Sequence, residues 1–227
     1  MAIHEAVPVI EKYRGIAAGG WKVARDSHYK EFTVFPESLK NRFNVSALFD
    51  PESVARLKEQ VTDFLLQLGL KHEVEYFLAG REFPPHTTIM EANLPADLLP
   101  ARDAKFSALG ESLPDSPLVA ALVGQKIVYN DLLVDGGGNV LLVARTIPSS
   151  VLAARSTLLQ EYTQVGLQPL AMDNILHASI ARPVKLPSSH TDHYRLRGLR
   201  TEIRTNPVGL KVGRLHVGSA WDLLNSR

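Results

Sequence analysis

Two short runs in the chain each set an imidazole and a hydroxyl two residues apart and end on isoleucine. They are His86-Thr87-Thr88-Ile89, after Pro85, and His177-Ala178-Ser179-Ile180, after Leu176. On an extended strand alternate side chains share a face, so His86 is expected to stand beside Thr88 and His177 beside Ser179. Imidazole titrates near neutrality and serves as either base or acid, and a hydroxyl donates to an anionic oxygen. Two such pairs hold the parts of acid–base catalysis at an anionic centre: a base, an acid, and hydroxyl donors for developing negative charge. With eight histidines, about 0.4 matches to the pattern are expected by chance. The weight therefore comes from context, two equivalent strands in two similar halves. The alternative is two ordinary strand histidines with hydroxyl neighbours.

The elements that must position these residues follow from periodicity. Residues 1–43 show no sustained pattern and are broken by Gly19-Gly20, which suggests an N-terminal extension packed on a single body formed by residues 44–227. A strand is expected over 44–49. Asp50 and Pro51 then cap a helix over 51–68 that Gly69 stops. Strands follow at 74–78 and 86–92, then a helical stretch over 96–109 interrupted near Pro100. Leu118–Asp131 and Val140–Thr146 read as strands joined across Asp135-Gly136-Gly137-Gly138-Asn139. Ser149 or Ser150 caps a helix that ends at Gly166 and carries Val151, Leu152, Leu158, Leu159, Tyr162 and Val165 on one face. A strand over 175–181, a helix over 189–204 and a strand over 210–218 complete an α+β order of two similar halves.

Composition narrows the classes. The 25 basic and 24 acidic residues of the 227 leave a net charge of +1, so a nucleic-acid substrate needs a local patch. The absence of cysteine removes disulfides, thiolate nucleophiles and Fe–S clusters, and a metal would need His, Asp or Glu. The longest apolar stretches, such as Ser116–Val123, are far shorter than a membrane span, and a cytoplasmic protein without a membrane partner is expected. Gly-x-Ser-x-Gly, His-Glu-x-x-His and Walker signatures are missing, and the 135–139 glycines suit a hairpin better than a phosphate cradle.

Some features are read structurally. His190-Thr191-Asp192-His193 has the spacing of a polar helix start more than of a metal site, and His28, His72 and His216 receive no role. Arg195, Arg197, Arg200 and Arg204, with Lys185, Lys211 and Arg214, make the C-terminal part locally basic. Arg197, Arg200 and Arg204 share a helix face, either solvated or touching RNA phosphates. Trp21, Tyr129 and Trp221 are packing residues that have the chemistry to stack on a base.

From 44 to 218 the sequence resembles the two-histidine (2H) phosphoesterases, which include the LigT-like RNA 2′,3′-cyclic phosphodiesterases and the cyclic nucleotide phosphodiesterases. The resemblance rests on the two His-x-Thr/Ser runs and on Ala181-Arg182 after the second. It implies a bilobal α+β fold of two antiparallel sheets related by a pseudo-twofold axis, with helices outside. It further implies His86 and His177 as the catalytic pair, with His177 as base and His86 as acid. Thr88, Ser179 and Arg182 become the substrate's phosphate ligands. No cofactor and no metal are expected, and the substrate would be a ribonucleotide or RNA end carrying a cyclic phosphate. The rival functions are a binding protein on the same fold that recognises RNA ends or nucleotides, and an RNA end-joining or 3′-end trimming enzyme.

Overall fold

Alternation in Arg42–Phe49 makes the first strand, β1. Phe43, Val45, Ala47 and Phe49 turn into the apolar core, while Asn44 and Ser46 lie on the opposite face. The computed structural model describes residues 14–16, 18–20, 22, 36–72, 75–170, 175–185 and 191–225. The side chain of Asp50 accepts the Ser53 amide at 2.8 Å and Pro51 occupies the first turn, which starts the helix α1. This helix runs through Pro51–Leu57, a π-helical turn at Lys58–Thr62 and Asp63–His72.

Then come β2 (Glu75–Leu78), β3 (His86–Asn93), a 3-10 turn at Ala96–Ala101 leading into α2 (Arg102–Ser112), α3 (Pro117–Ala120), β4 (Lys126–Tyr129), β5 (Asp131–Val134) and β6 (Val140–Val143). The chain ends with α4 (Ser149–Gln164), β7 (Gln168–Pro169), β8 (His177–Lys185), α5 (Thr191–Thr205), β9 (Val208–Ser219) and α6 (Ala220–Asn225).

Two antiparallel sheets form, in the orders β4-β9-β1-β3-β7 and β2-β8-β6-β5. The fold is thus the mixed α+β class expected. The unit β1-α1-β2-β3 repeats as β6-α4-β7-β8, and each unit gives its short strand to the other's sheet: β2 pairs with β8, and β7 with β3. This exchange knits the halves together and sets the motif strands β3 and β8 in equivalent places.

Helix α4 packs against β3 and β7, and α1 against β2. Phe43 meets Phe106 and Tyr162 edge to face, with centroids 5.0 and 5.6 Å apart. Burial of these aromatic and aliphatic side chains is the main force holding helices to sheets.

Several expectations are corrected. Leu118–Asp131 is not one strand. Pro117 opens a short helix, the left-handed Gly124 (φ 83°) turns the chain, and β4 and β5, separated by Asn130, belong to different sheets. Helix α1 passes Gly69 and ends at His72. Neither Ser149 nor Ser150 caps α4, whose N-cap is Pro148 without a side-chain hydrogen bond. Leu159 is 48% exposed, and the buried face of α4 is Val151, Ala154, Arg155, Leu158 and Tyr162. Most of the expected extension, residues 1–13 and 23–35, lies outside the described residues, as do Trp21, His28 and His190. Of Lys185, Thr191, Asp192 and His193 only the backbone is described, and the same holds for His72.

Candidate active site

The motif strands touch directly. Buried Thr87, between the two motif residues of β3, donates its hydroxyl hydrogen to the backbone carbonyl of His177 on β8 at 2.5 Å. A second tie comes from Arg155 of α4, 8% exposed. Its Nε donates to the Ile89 carbonyl at 2.8 Å and Nη2 to the Ile175 carbonyl at 2.5 Å. One guanidinium therefore holds β3 at the end of its motif and the chain just before the other.

Both motif isoleucines are bulge residues. The register steps from Ser46↔Thr88 to Val45↔Met90 around Ile89, and from Leu141↔Ser179 to Val140↔Ala181 around Ile180. A bulge leaves backbone groups outside the ladder. Here Arg155 takes the Ile89 carbonyl and the Ala79 amide takes that of Ile180, at 2.8 Å in both cases. The extra residue also shifts the alternation by one. Glu91 thereby joins the face of His86 and Thr88, and Arg182 the face of His177 and Ser179.

Electrostatics link the groups. Burial pushes the His86 imidazole down to about 4, against the Pro84 carbonyl, and the charges of Arg182, His177 and His216 add to the depression. Burial likewise pushes His177 down to about 4. Asp135 opposes the shift, and Arg182 and Arg155 assist it. Both rings are neutral at pH 7 and Arg182 lies in the field of both. Nδ1 of His86 is 2.8 Å from the Pro84 carbonyl. A carbonyl only accepts, so the proton sits on Nδ1 and the neutral ring offers a bare Nε2.

The two half-sites differ around this common plan. In the first, Thr88, Ser46 and His216 form a row across β3, β1 and β9. The row is polar. Ser46 Oγ lies 2.5 Å from Asn44 Oδ1 and 3.4 Å from Thr88 Oγ1. The single Ser46 hydroxyl hydrogen goes to the shorter contact, so the Thr88 hydrogen is the one that can close the longer contact, and a ligand oxygen would compete with Ser46 for it. Glu91 accepts from Asn44 Nδ2 at 3.0 Å and from Arg42 at 3.3 Å. In the second half the equivalent row, Ser179, Leu141 and Leu133, is apolar beyond the hydroxyl.

Sequence reasoning missed Thr87, Arg155, Ser46 and His216. Arg155 had a readable signal, since it falls at helical spacing within an otherwise buried face. His216 had none, because only strand pairing brings it beside Ser46. Other candidates have structural roles. Arg200 and Arg204 both chelate Asp131 through Nε and Nη2 at 2.7–3.0 Å, docking α5 on β5. Arg145 stands 3.7 Å from the same carboxylate. Tyr129 is fully buried against Phe49, and Trp221 carries the Lys40 ammonium 4.9 Å above its ring. The 135–139 segment is the expected hairpin turn: Asp135 Oδ1 accepts the amides of Gly137 and Asn139 at 2.8 and 2.9 Å. Among the described residues no three His, Asp or Glu side chains cluster to hold a metal, and no helix is long and apolar enough to cross a membrane.

No family model and no curated protein matches the chain. Among solved structures, that of Kluyveromyces marxianus Usb1 is similar over 81% of this chain and 100% of that one, at 14% identity and a TM-score of 0.40.

Proposed function

We propose that the chain is a metal-independent phosphodiesterase that hydrolyses a 2′,3′-cyclic phosphate or a related 2′-linked ribonucleotide ester, with His86 and His177 as its acid–base pair. The observation that carries this reading is the union of two equivalent His-x-Thr/Ser strands through the Thr87–His177 hydrogen bond, with Arg182 in the field of both imidazoles. Two half-buried imidazoles whose burial shifts their titration, lying near one arginine, have the perturbed electrostatics typical of functional sites.

The chemistry follows from the surroundings. The substrate's phosphate is anionic, and its arrival among Arg182, Thr88 and Ser179 offsets the positive field that adds to burial in holding both rings neutral. One ring then carries a proton while the other stays basic. His86, with its proton fixed on Nδ1, turns its Nε2 lone pair toward water and is the base; the Asp135 field favours a protonated His177, the acid. This reverses the roles implied by the resemblance. As water adds to phosphorus, His86 takes its proton, the P–O bond to the ribose oxygen breaks, and His177 protonates that oxygen. Thr88, Ser179 and Arg182 donate to the phosphoryl oxygens, where negative charge grows.

A substrate whose leaving group needs no proton tests the assignment. A nitrophenyl phosphodiester should restore turnover to His177→Ala but not to His86→Ala. Restoration of His86→Ala instead would return the roles to the opposite order, and failure to restore either would remove the acid step.

A further inference from the structure

The two half-sites repeat the His and hydroxyl positions but not the ground beside them. Around His86 the row beyond the hydroxyl is Ser46 and His216; around His177 it is Leu141 and Leu133. Beside that apolar row lies a half-open cavity of about 430 Å³, lined by Leu133, Leu141, Val143 and His177 and by the Asp135–Gly137 turn. Among the described residues the lining also includes Ile16 with Gly15 and Gly19, from the segment that precedes the first sheet. At Gly20 the segment comes so close to the Val134 carbonyl that a Cβ would overlap it, so only glycine lets this wall approach the sheet edge.

We propose that this cavity is the nucleobase subsite of the substrate. The inference rests on the phosphodiesterase reading and deepens it, by making the base-bearing nucleotide and not the sugar phosphate alone the recognised unit. Three features fit a base. The apolar floor matches the π-faces of a purine or pyrimidine, which bury well against aliphatic side chains. His177 is among the lining residues, so a base in the pocket would lie beside an imidazole that meets the phosphate. The polar ground beside His86 offers no comparable apolar surface, so the base has one place to go and the ester is presented to the two imidazoles in one direction. The wall contributed by the N-terminal segment makes that segment a specificity element.

Gly15 and Gly19 supply the probe. Both line the cavity, and a Cβ at either position meets nothing within 4 Å, so a larger side chain there adds bulk at the lining without a clash. The experiment is equilibrium binding of adenosine and uridine 2′-monophosphates against methyl ribofuranoside 2-phosphate, which lacks the base. Burial of the base against this aliphatic lining makes the nucleotides bind about 10- to 150-fold tighter than the base-free ligand. In Gly19→Leu and Gly15→Leu that ratio should collapse toward one, with circular dichroism verifying the fold. Equal affinities in the wild type, or a ratio that survives both substitutions in folded protein, would overturn the subsite. A wild type that binds nucleotides preferentially yet turns over no diester keeps the subsite and loses the hydrolase reading, so the two fail separately.

Discussion

The Thr87 hydroxyl donates to the His177 carbonyl at 2.5 Å, so a residue inside the first motif fixes the backbone that carries the second. This relationship makes the two motifs one unit. Thr87→Val keeps the shape and removes the donor, leaving a buried carbonyl unsatisfied at a cost of ~1–3 kcal/mol. Thr87→Ser should restore both stability and activity. Chemical denaturation of the three proteins checks this, and a Val variant as stable as the wild type would show that the bond contributes nothing.

Thr88→Ala and Ser179→Ala each remove one hydrogen bond to a charged phosphate, worth ~1.5–3 kcal/mol, or about 10- to 150-fold in turnover efficiency. Thr88 and Ser179 are half-buried on the open face of their strands, so folding should be little affected. Losses below about threefold at both positions would assign them to structure alone.

Legibility in the sequence was uneven, for physical reasons. The motif pairs, most helices and the hairpin at 135–139 rest on local rules of spacing, capping and turn chemistry, and these carry through to the structure. The exchange of β2 and β7 between sheets was invisible because strands of four and two residues find partners through non-local pairing. The break at Asn130 was hidden because strand-forming residues flank it on both sides, Ile127–Tyr129 and Leu132–Val134, and only the non-local pairing assigns them to two sheets. Arg200 and Arg204 read as a basic face because the partner that consumes them, Asp131, lies far away in sequence. Ile89 and Ile180 looked like strand hydrophobics, and only the register shows them as the bulges that bring Glu91 and Arg182 to the site face.

Chelation with EDTA should leave the hydrolytic rate unchanged, because the charge on the phosphate is met by Arg182, Thr88 and Ser179 and the described residues hold no cluster of carboxylates and histidines. Loss of activity on chelation with recovery on adding a divalent ion would contradict this.

The depressed histidines make stability pH-dependent in a defined window. His86 and His177 fall from an ordinary 6.5 to about 4 in the folded chain. Between those values the unfolded chain binds more protons, so stability rises with pH across the window and is lost as pH falls from 6.5 toward 4. Asp131, chelated by Arg200 and Arg204 against the opposing pull of burial, is lowered from 3.8 to about 2, so its contribution is present above 3.8 and disappears only in more acid solution. Denaturation across pH 4 to 7 should show a shallower slope for the His86→Asn/His177→Asn double variant than for the wild type. Parallel curves would mean that neither ring is desolvated.

The measurement that bears most directly on the site is the hydrolysis of a ribonucleoside 2′,3′-cyclic phosphate by the wild type, His86→Ala, His177→Ala and the double variant. Acid and base serve one transition state, so each single change should lower the rate by about 10²–10⁴-fold and the double change by little more than the worse single one. The wild-type profile of kcat/KM against pH should be a bell whose limbs belong to the coupled pair, displaced to the acid side of the ordinary imidazole range. Single variants that retain the wild-type rate, or losses that multiply in the double variant, would contradict a shared acid–base step by His86 and His177.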